Sequence, residues 1–251
     1  MHLLNCNFDP VTYDDVFQRA RQSLSDGKRG HFTTVNVAIL MAMRTNPRLR
    51  RFIDQSLLTV ADGQPIVWLS RLLGSSLPQR VTGVDLIEGL CRAAAETNSS
   101  VYFLGSKSEV VRQMVEQIRQ QIPDLVVAGF HDGYFPDSDV ANRVGEIRES
   151  GAALLFVGLG APKQEAFIED HWENLGVRLA IPIGGAFDML TGEKKRAPIW
   201  MQTHGLEWLW RLKLEPKRLA GRYFSTGASF VFHAAIALWN CRFNSKLKTT
   251  I

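Results

Sequence analysis

The first candidate for chemistry in this chain is a single carboxylate, Asp62. It directly follows the apolar run over residues 57–61 and precedes Gly63. An apolar run of this length predicts a buried strand, so Asp62 is expected at the strand's carboxyl end. A carboxylate in that place can act as a general base, bind a ribose hydroxyl or bind a metal ion. It can also cap the helix predicted over residues 64–73, and its position alone leaves these alternatives open.

Polar residues or glycines also end four other predicted strands. Because the carboxyl ends of parallel strands share one edge of a sheet, these residues are expected to converge in one crevice. Each of them is also an ordinary turn residue, so the prediction of a pocket depends on the set rather than on any member. The residues are Thr34 and Asn36, Gly105 and Ser106, Gly158 and Gly160, and Gly184 and Gly185.

The stretch over residues 154–165, LLFVGLGAPKQE, is typical of a strand, a glycine turn and a helix start. Gly158 and Gly160 form the predicted turn, and Pro162 stands where the helix would begin. Glycine lets a ligand approach the backbone, and the free N–H groups of a helix start favour phosphate. Lys163 and Gln164 add a positive charge and an amide at the same edge. The spacing is not GxGxxG, and such a turn can also serve packing alone.

Composition and cysteine usage narrow the class of protein. The histidines and the three cysteines show no metal-ligand spacing, so no metal site is predicted. The widely separated cysteines favour a reduced, cytoplasmic setting. No basic and apolar leader opens the chain, and no run of 18 apolar residues occurs, so neither a signal peptide nor a spanning helix is expected.

These candidates are positioned by predicted strands and helices that alternate about six times. The alternation predicts an α/β fold with a doubly wound, mostly parallel sheet flanked by helices. At 251 residues, the chain fits one such domain and an appendage. Residues 1–13 are expected to add an edge strand, Asp14 and Asp15 to cap the first helix, and residues 125–128 to form a strand. Asp85 has the same ambiguity as Asp62, with a helix cap favoured.

The composition of the chain changes at residue 198. Tryptophans alternate with basic residues over 198–223, and a mostly apolar stretch follows over 224–240. This pattern favours a helical appendage that docks on a membrane surface. A helical hairpin packed on the sheet domain or on a partner is the alternative, and nucleic acid explains the apolar stretch less well. We therefore predict a catalytic domain over residues 1–197 and a membrane-associating appendage over residues 198–251.

Taken together, the motifs resemble the WecG/TagA/CpsF glycosyltransferase family of bacteria over about residues 2–240. They occur in the family's order: TTVN (33–36), ADG (61–63), RVTGVD (80–85), FLGS (103–106), GYF (133–135), VGLGAPKQE (157–165), IGGAFD (183–188) and EWLWRLKLEPKRLAGRY (207–223).

The resemblance implies a Rossmann-like fold and an inverting, metal-independent transferase that needs no cofactor. Such enzymes move an N-acetylmannosamine-type hexose, its uronic acid or glucose from a UDP-sugar to a polyprenyl-diphosphate-linked sugar. They act in the synthesis of teichoic acid or other cell-surface polysaccharides. The expected location is the inner face of the cytoplasmic membrane, with the appendage closing over the active site. The sequence leaves the donor, the acceptor and the oligomeric state open, a homo-oligomer included.

The resemblance also implies roles for individual residues. Asp62 matches the family's proposed base, and Thr34 and Asn36 match an acceptor-binding pair. Many members carry two arginines before the tyrosine of the last motif, whereas here Gly221 precedes Arg222. The residues expected to hold the donor and its diphosphate are Arg80, Gly158, Gly160, Gln164, Gly185, Arg211, Arg218 and Arg222.

Two functions of other classes compete with this prediction. A nucleotide-sugar-binding oxidoreductase or epimerase would share the layered architecture, although no GxGxxG follows the first strand. A non-catalytic scaffold at the membrane would share the appendage. Binding of NAD(H) would favour the first, and tight UDP binding without transfer would favour the second.

Overall fold

The computed structural model describes the backbone of residues 1–247 and the side chains of those residues other than Arg218, Arg222 and 243–247. The strands are β1 (His2–Leu3), β2 (Cys6–Asn7), β3 (Gly30–Val35), β4 (Leu58–Ala61), β5 (Val101–Gly105), β6 (Val127–His131), β7 (Leu154–Gly158) and β8 (Leu179–Pro182). The helices are α1 (Tyr13–Asp26), α2 (Val37–Ala42), α3 (Pro47–Asp54), α4 (Gln64–Leu72), α5 (Gly83–Glu96), α6 (Ser108–Gln121), α7 (Val140–Glu149), α8 (Lys163–Leu175), α9 (Ala186–Leu190), α10 (Ile199–Thr203), α11 (Glu207–Leu214) and α12 (Pro216–Leu247).

The predicted α/β fold with a parallel sheet is confirmed. Six strands form one sheet in the order β4-β3-β8-β7-β5-β6, and every neighbouring pair is parallel. The prediction that residues 1–13 add an edge strand is wrong. β1 and β2 instead pair with each other in an antiparallel hairpin, which the N–H of Phe8 closes by donating to the carbonyl of Met1 at 2.7 Å.

Strand side chains alternate between two helical layers, as a pleated strand requires. Phe32, Val60 and Phe156 pack with α1, α5, α6 and α9 on one face of the sheet. Val35 and Val157 pack with α2, α3, α4, α7, α8 and α12 on the other. The sheet is therefore buried on both faces, which explains why its strands are continuous apolar runs.

Two local predictions need correction. Thr12, rather than Asp14 or Asp15, caps α1. The carboxylate of Asp15 accepts the backbone N–H of Thr12 at 2.8 Å, which completes a capping box. The strand predicted over residues 125–128 lies at Val127–His131. It continues through Gly129 because that glycine leaves room for the ring of Tyr102 on the neighbouring strand.

The ends of β5 and β7 and the turn after β8 approach one another too closely for side chains. A Cβ atom on Gly105 would lie 2.6 Å from the carbonyl oxygen of Gly158, and one on Gly158 would lie 2.9 Å from that of Gly184. Gly105 also has a φ of +144°, which an L side chain rarely adopts. Backbone packing therefore requires glycine at these positions.

The last three helices lie against the sheet domain. α12 packs along α2, and its Leu219 and Phe230 are buried. The turn between α10 and α11 packs on α4, where Gly205 leaves room for Gln64 and Trp68. Among the described residues, no helix is long and apolar enough to cross a membrane. The boundary between residues 197 and 198 stays a prediction, since these contacts join the appendage to the core.

Replacing Gly105 by alanine should destabilise the fold, because the new methyl group would meet the backbone of Gly158. We expect Gly105→Ala to lower the free energy of unfolding by about 1–3 kcal/mol. Gly145 lies within α7 with no atom within 4 Å of its would-be Cβ. Gly145→Ala should instead raise that free energy by up to about 1 kcal/mol. Urea unfolding of both variants checks the pair, and equal effects would contradict the packing argument.

Candidate functional site at the strand ends

Asp62 lies where two neighbouring parallel strands end. β3 and β4 are paired with Val35 beside Ala61, and the N–H of Asp62 donates to the carbonyl of Val35 at 3.0 Å. This bond places Asp62 next to Asn36, the first residue after β3. Val81 continues the same edge, because its N–H donates to the carbonyl of Ala61 at 2.9 Å. The loop that carries Arg80 therefore runs beside the carboxylate.

The carboxylate of Asp62 is not a helix cap. Gly63 is the N-cap of α4, and no side chain caps that helix. Within the described part of the chain, no group hydrogen-bonds or ion-pairs with this carboxylate. Burial raises the pKa of Asp62 above its ordinary value, and the charges of Glu207 and Asp85 raise it further, whereas Arg211 and Arg80 oppose the rise. A carboxylate with a raised pKa and free oxygens is suited to accept a proton.

Thr34 and Asn36 lie on the strand beside Asp62. Thr34 is buried near the end of β3. The side-chain oxygen of Asn36 accepts the N–H of Ile39 at 3.0 Å, so Asn36 caps α2. In the portion that the structure describes, the amide nitrogen of Asn36 and the hydroxyl of Thr34 have no hydrogen-bond partner. Their proposed acceptor-binding role stays a prediction that this geometry permits.

The carboxylate of Asp85 is held by hydrogen bonds within the fold. Thr82 caps α5, and the hydroxyl of Thr82 also donates to Asp85 at 2.8 Å. Arg196 donates two hydrogen bonds to the same carboxylate at 2.6 and 2.8 Å. Burial alone would raise the pKa of Asp85, but the bonds from Arg196 and Thr82 lower it. Asp85 is therefore held as an anion with its oxygens occupied, unlike Asp62.

Gln164 joins two glycine turns. Its side-chain oxygen accepts the N–H groups of Gly160 at 3.2 Å and of Gly184 at 2.9 Å. Its amide nitrogen donates to Glu165 at 2.9 Å, and the residue is 3% exposed. The expected direct contact with the diphosphate stays untested, and this geometry favours a role in fixing the two turns.

The glycines of the two turns differ in their surroundings. Gly158 packs against Gly184, so its lack of a side chain has a structural reason. Gly160 has a φ of +79° and open space where a side chain would project. Gly185 is similarly open, with Asp188 nearest to its would-be Cβ at 4.0 Å. Gly160 and Gly185 are therefore the positions where a ligand can approach the backbone.

The appendage supplies charged groups to the same edge. Arg211 of α11 acts on Asp62 electrostatically and lies 3.4 Å from the sulfur of Met189. The side chains of Arg218 and Arg222 lie outside the described residues, so their predicted diphosphate contacts stay predictions. Arg80 pairs with Glu207, which begins α11.

Residues 1–244 match the family described as "Glycosyl transferase WecG/TagA/CpsF family". The chain belongs to this family. It is similar to the "N-acetylglucosaminyldiphosphoundecaprenol N-acetyl-beta-D-mannosaminyltransferase" of Bacillus spizizenii, with 32% identity over 196 residues, which cover 78% of this chain and 75% of the relative. The protein of the same name from Bacillus subtilis is 32% identical over 186 residues, which cover 74% and 72%. The family resemblance is confirmed, and the protein is a glycosyltransferase.

The glycosyltransferase carries one Asp-x-Asp spacing, Asp137–Asp139, which the prediction of no metal site overlooks. It follows β6, whereas Asp62 follows β4 at the opposite edge of the sheet. Five strand spacings of about 4.8 Å separate β6 from β4. Asp139 ion-pairs with Arg143 at 2.9 Å. Within the described residues, no three His, Cys, Asp or Glu side chains are grouped as metal ligands.

Sequence reasoning missed Arg196 and Glu207. Glu207 stands in the family motif EWLW, but the motif does not show that it pairs with Arg80, 127 residues earlier. Arg196 pairs with Asp85 across 111 residues. Such pairings depend on tertiary contacts. In the sequence, only the charges of these residues indicated that they could form ion pairs.

Removing the polar atoms of Gln164 should destabilise both turns. Gln164→Met keeps the shape of the side chain but leaves the N–H groups of Gly160 and Gly184 without an acceptor. We expect the free energy of unfolding to fall by about 2–3 kcal/mol. Gln120→Met at an exposed position of α6 is the matched control and should change it by less than about 0.5 kcal/mol. Urea unfolding checks both, and an unchanged Gln164→Met would leave ligand contact as the role of Gln164.

Proposed function

We propose that this protein is an inverting, metal-independent glycosyltransferase with a UDP-sugar donor and a polyprenyl-diphosphate-linked sugar acceptor. It acts at the inner face of the cytoplasmic membrane in the synthesis of a cell-surface polysaccharide or teichoic acid. The unpaired carboxylate of Asp62 among charged groups of the core and of the appendage carries this proposal. The names of the two relatives favour N-acetylmannosamine as the hexose and N-acetylglucosamine on a diphosphoundecaprenol as the acceptor.

In this proposal Asp62 is the general base. The acceptor hydroxyl attacks the anomeric carbon of the donor, and its proton passes to the carboxylate of Asp62. The bond between the anomeric carbon and the UDP oxygen breaks in the same step, and its electron pair leaves with the diphosphate. One in-line displacement inverts the configuration at that carbon. Two features of the site support the assignment: the free oxygens of Asp62 and a pKa that burial raises above its ordinary value.

Positive charges and N–H groups then stabilise the leaving diphosphate. Arg80 and Arg211 act on Asp62 from opposite parts of the chain, the core loop and the appendage. The open turns at Gly160 and Gly185 let phosphate oxygens approach the backbone. Charge-assisted hydrogen bonds from arginine are the stronger kind and suit a diphosphate. These groups take the place of a metal ion in the proposed mechanism.

The outer surface of α12 supports membrane docking. Phe224, Val231 and Trp239 are exposed, and their spacings of seven and eight residues put them on one side of the helix. Phe230 lies on the opposite side and is buried against the core. An apolar stripe beside the basic residues of 211–222 suits an interface with anionic lipid.

A donor and acceptor screen tests the proposed function. The purified protein is mixed with UDP-N-acetylmannosamine, its uronic acid or UDP-glucose, and with a short-chain polyprenyl-diphosphate N-acetylglucosamine. We expect transfer from one of these donors, with inverted anomeric configuration in the product by NMR. The wild-type rate should be the same in EDTA and in magnesium. Absence of transfer from every donor, or retained configuration, would refute the proposal.

Replacing Asp62 by asparagine should remove the base and preserve the donor site. We expect Asp62→Asn to lower turnover by about 10²–10⁴-fold while the calorimetric affinity for UDP changes little. Asp14→Asn makes the same substitution at an exposed position of α1 and should retain normal turnover. Near-normal turnover of Asp62→Asn would remove Asp62 from the mechanism.

A charge placed on the exposed stripe of α12 should weaken membrane docking. Val231 is 66% exposed, and Val126, before β6, is 60% exposed. Val231→Asp and Val126→Asp change net charge and side-chain size equally. We expect Val231→Asp to reduce co-sedimentation with anionic liposomes at least about tenfold, since it puts a charge where apolar burial occurs. Val126→Asp should change it little. Equal effects would show that α12 does not meet the membrane.

A further inference from the structure

Arg80 is held by a chain of charged residues that reaches into the core. Glu207, the first residue of α11, pairs with Arg80 through one carboxylate oxygen. Its other oxygen lies 3.5 Å from the Nε atom of Arg196. Arg196 in turn donates two hydrogen bonds to Asp85, and Tyr13 donates to Asp85 at 3.2 Å. These contacts connect α1, α5, the segment before α10 and α11 with the loop beside Asp62.

The pair between Arg80 and Glu207 is shielded from water. The side chains are 15% and 12% exposed, whereas pairs such as Arg21 with Glu96 and Arg92 with Glu88 lie at the surface. A shielded pair with a second partner holds its geometry better than a surface pair, which solvent screens. The burial therefore indicates a defined orientation for Arg80.

The pair leaves part of Arg80 available. Glu207 contacts the Nη1 atom. In the described part of the structure, the Nε and Nη2 atoms of Arg80 have no hydrogen-bond partner. A guanidinium carries five N–H donors, so Arg80 can keep Glu207 and still donate to an anion.

We propose that Asp85, Arg196 and Glu207 form a relay that positions Arg80 toward the diphosphate of the donor. The inference deepens the proposed function and rests on it. Glu207 and Arg196 are positioning residues, since they act through Arg80 and touch no substrate. The relay also makes the orientation of Arg80 depend on the docking of α11, because Glu207 belongs to the appendage.

A different role for Glu207, as a competitor of the diphosphate for Arg80, predicts tighter rather than weaker UDP binding when its charge is removed. If Glu207 occupied the diphosphate's place on Arg80, removing its charge would free Arg80 and strengthen UDP binding. The retained Nε and Nη2 donors and the second contact to Arg196 favour positioning. The sign of the change in UDP affinity therefore decides between the two roles.

The test compares calorimetric affinities for UDP and UMP. UMP lacks the second phosphate, so the difference between the two ligands reports the diphosphate contact. We expect Glu207→Gln to weaken UDP binding about five- to tenfold and to change UMP binding less than twofold. It should also raise the donor KM more than it lowers kcat. Tighter or unchanged UDP binding would overturn the proposal.

Glu215→Gln is the matched control. Glu215 is the C-cap of α11 and ion-pairs with Lys194 at 3.5 Å, so the same substitution weakens the docking of the same helix away from Arg80. Its UDP affinity should equal that of the wild type. An equal loss in both variants would show that docking of α11 alone matters, and the relay would be wrong.

A double-mutant cycle tests whether Glu207 acts through Arg80. In the Arg80→Gln background, Glu207→Gln should have no further effect on UDP affinity. A persisting effect would refute the relay. If Glu207→Gln fails to fold, Arg196→Gln replaces it in the cycle with the same expectation and a smaller loss. Failure of the wild type itself to bind UDP would instead refute the proposed function.

Discussion

The parallel pairing of six strands is the constraint on which the rest of the structure depends. It brings the carboxyl ends of all six strands to one edge of the sheet, so residues that are distant in sequence lie close together there. The same pairing requires close backbone contact where β5, β7 and the turn after β8 meet, and Gly105 and Gly158 permit it because they lack side chains. Gln164 then fixes two turns with one side-chain oxygen. The two glycine turns are therefore held by close backbone packing and by the hydrogen bonds to Gln164.

The charges at this edge are unevenly paired. Asp85 is surrounded by donors, and although burial alone would raise its pKa, the hydrogen bonds from Arg196 and Thr82 lower it below its ordinary value. Asp62 lies nearby with no such donors among the described residues, and its pKa is raised. Two carboxylates of the same type thus have different protonation behaviour because their partners differ. This contrast is what allows one to anchor the fold while the other is proposed to accept a proton.

The appendage contributes to the site as well as to the surface. α11 brings Glu207 and Arg211, which shift the pKa of Asp62 in opposite directions. α12 buries Phe230 against the core and exposes an apolar stripe on its other side. A helix that is apolar on two sides can pack on the protein and still meet a lipid surface. In the proposed function, docking at the membrane and completing the donor site are therefore properties of one segment.

Much of this was predictable from local patterns. Apolar runs ending in glycine or polar residues determined the parallel sheet and placed Asp62 and Asn36 at strand ends, because burial on both faces leaves a continuous apolar signature. The motif order identified the family. The ion-pair partners of the charged residues were not predictable. Asp85 pairs with Arg196, and Arg80 pairs with Glu207, and each pair joins residues more than a hundred positions apart. Tertiary structure decided them, since ion pairing depends on distance in space, which local sequence patterns do not encode.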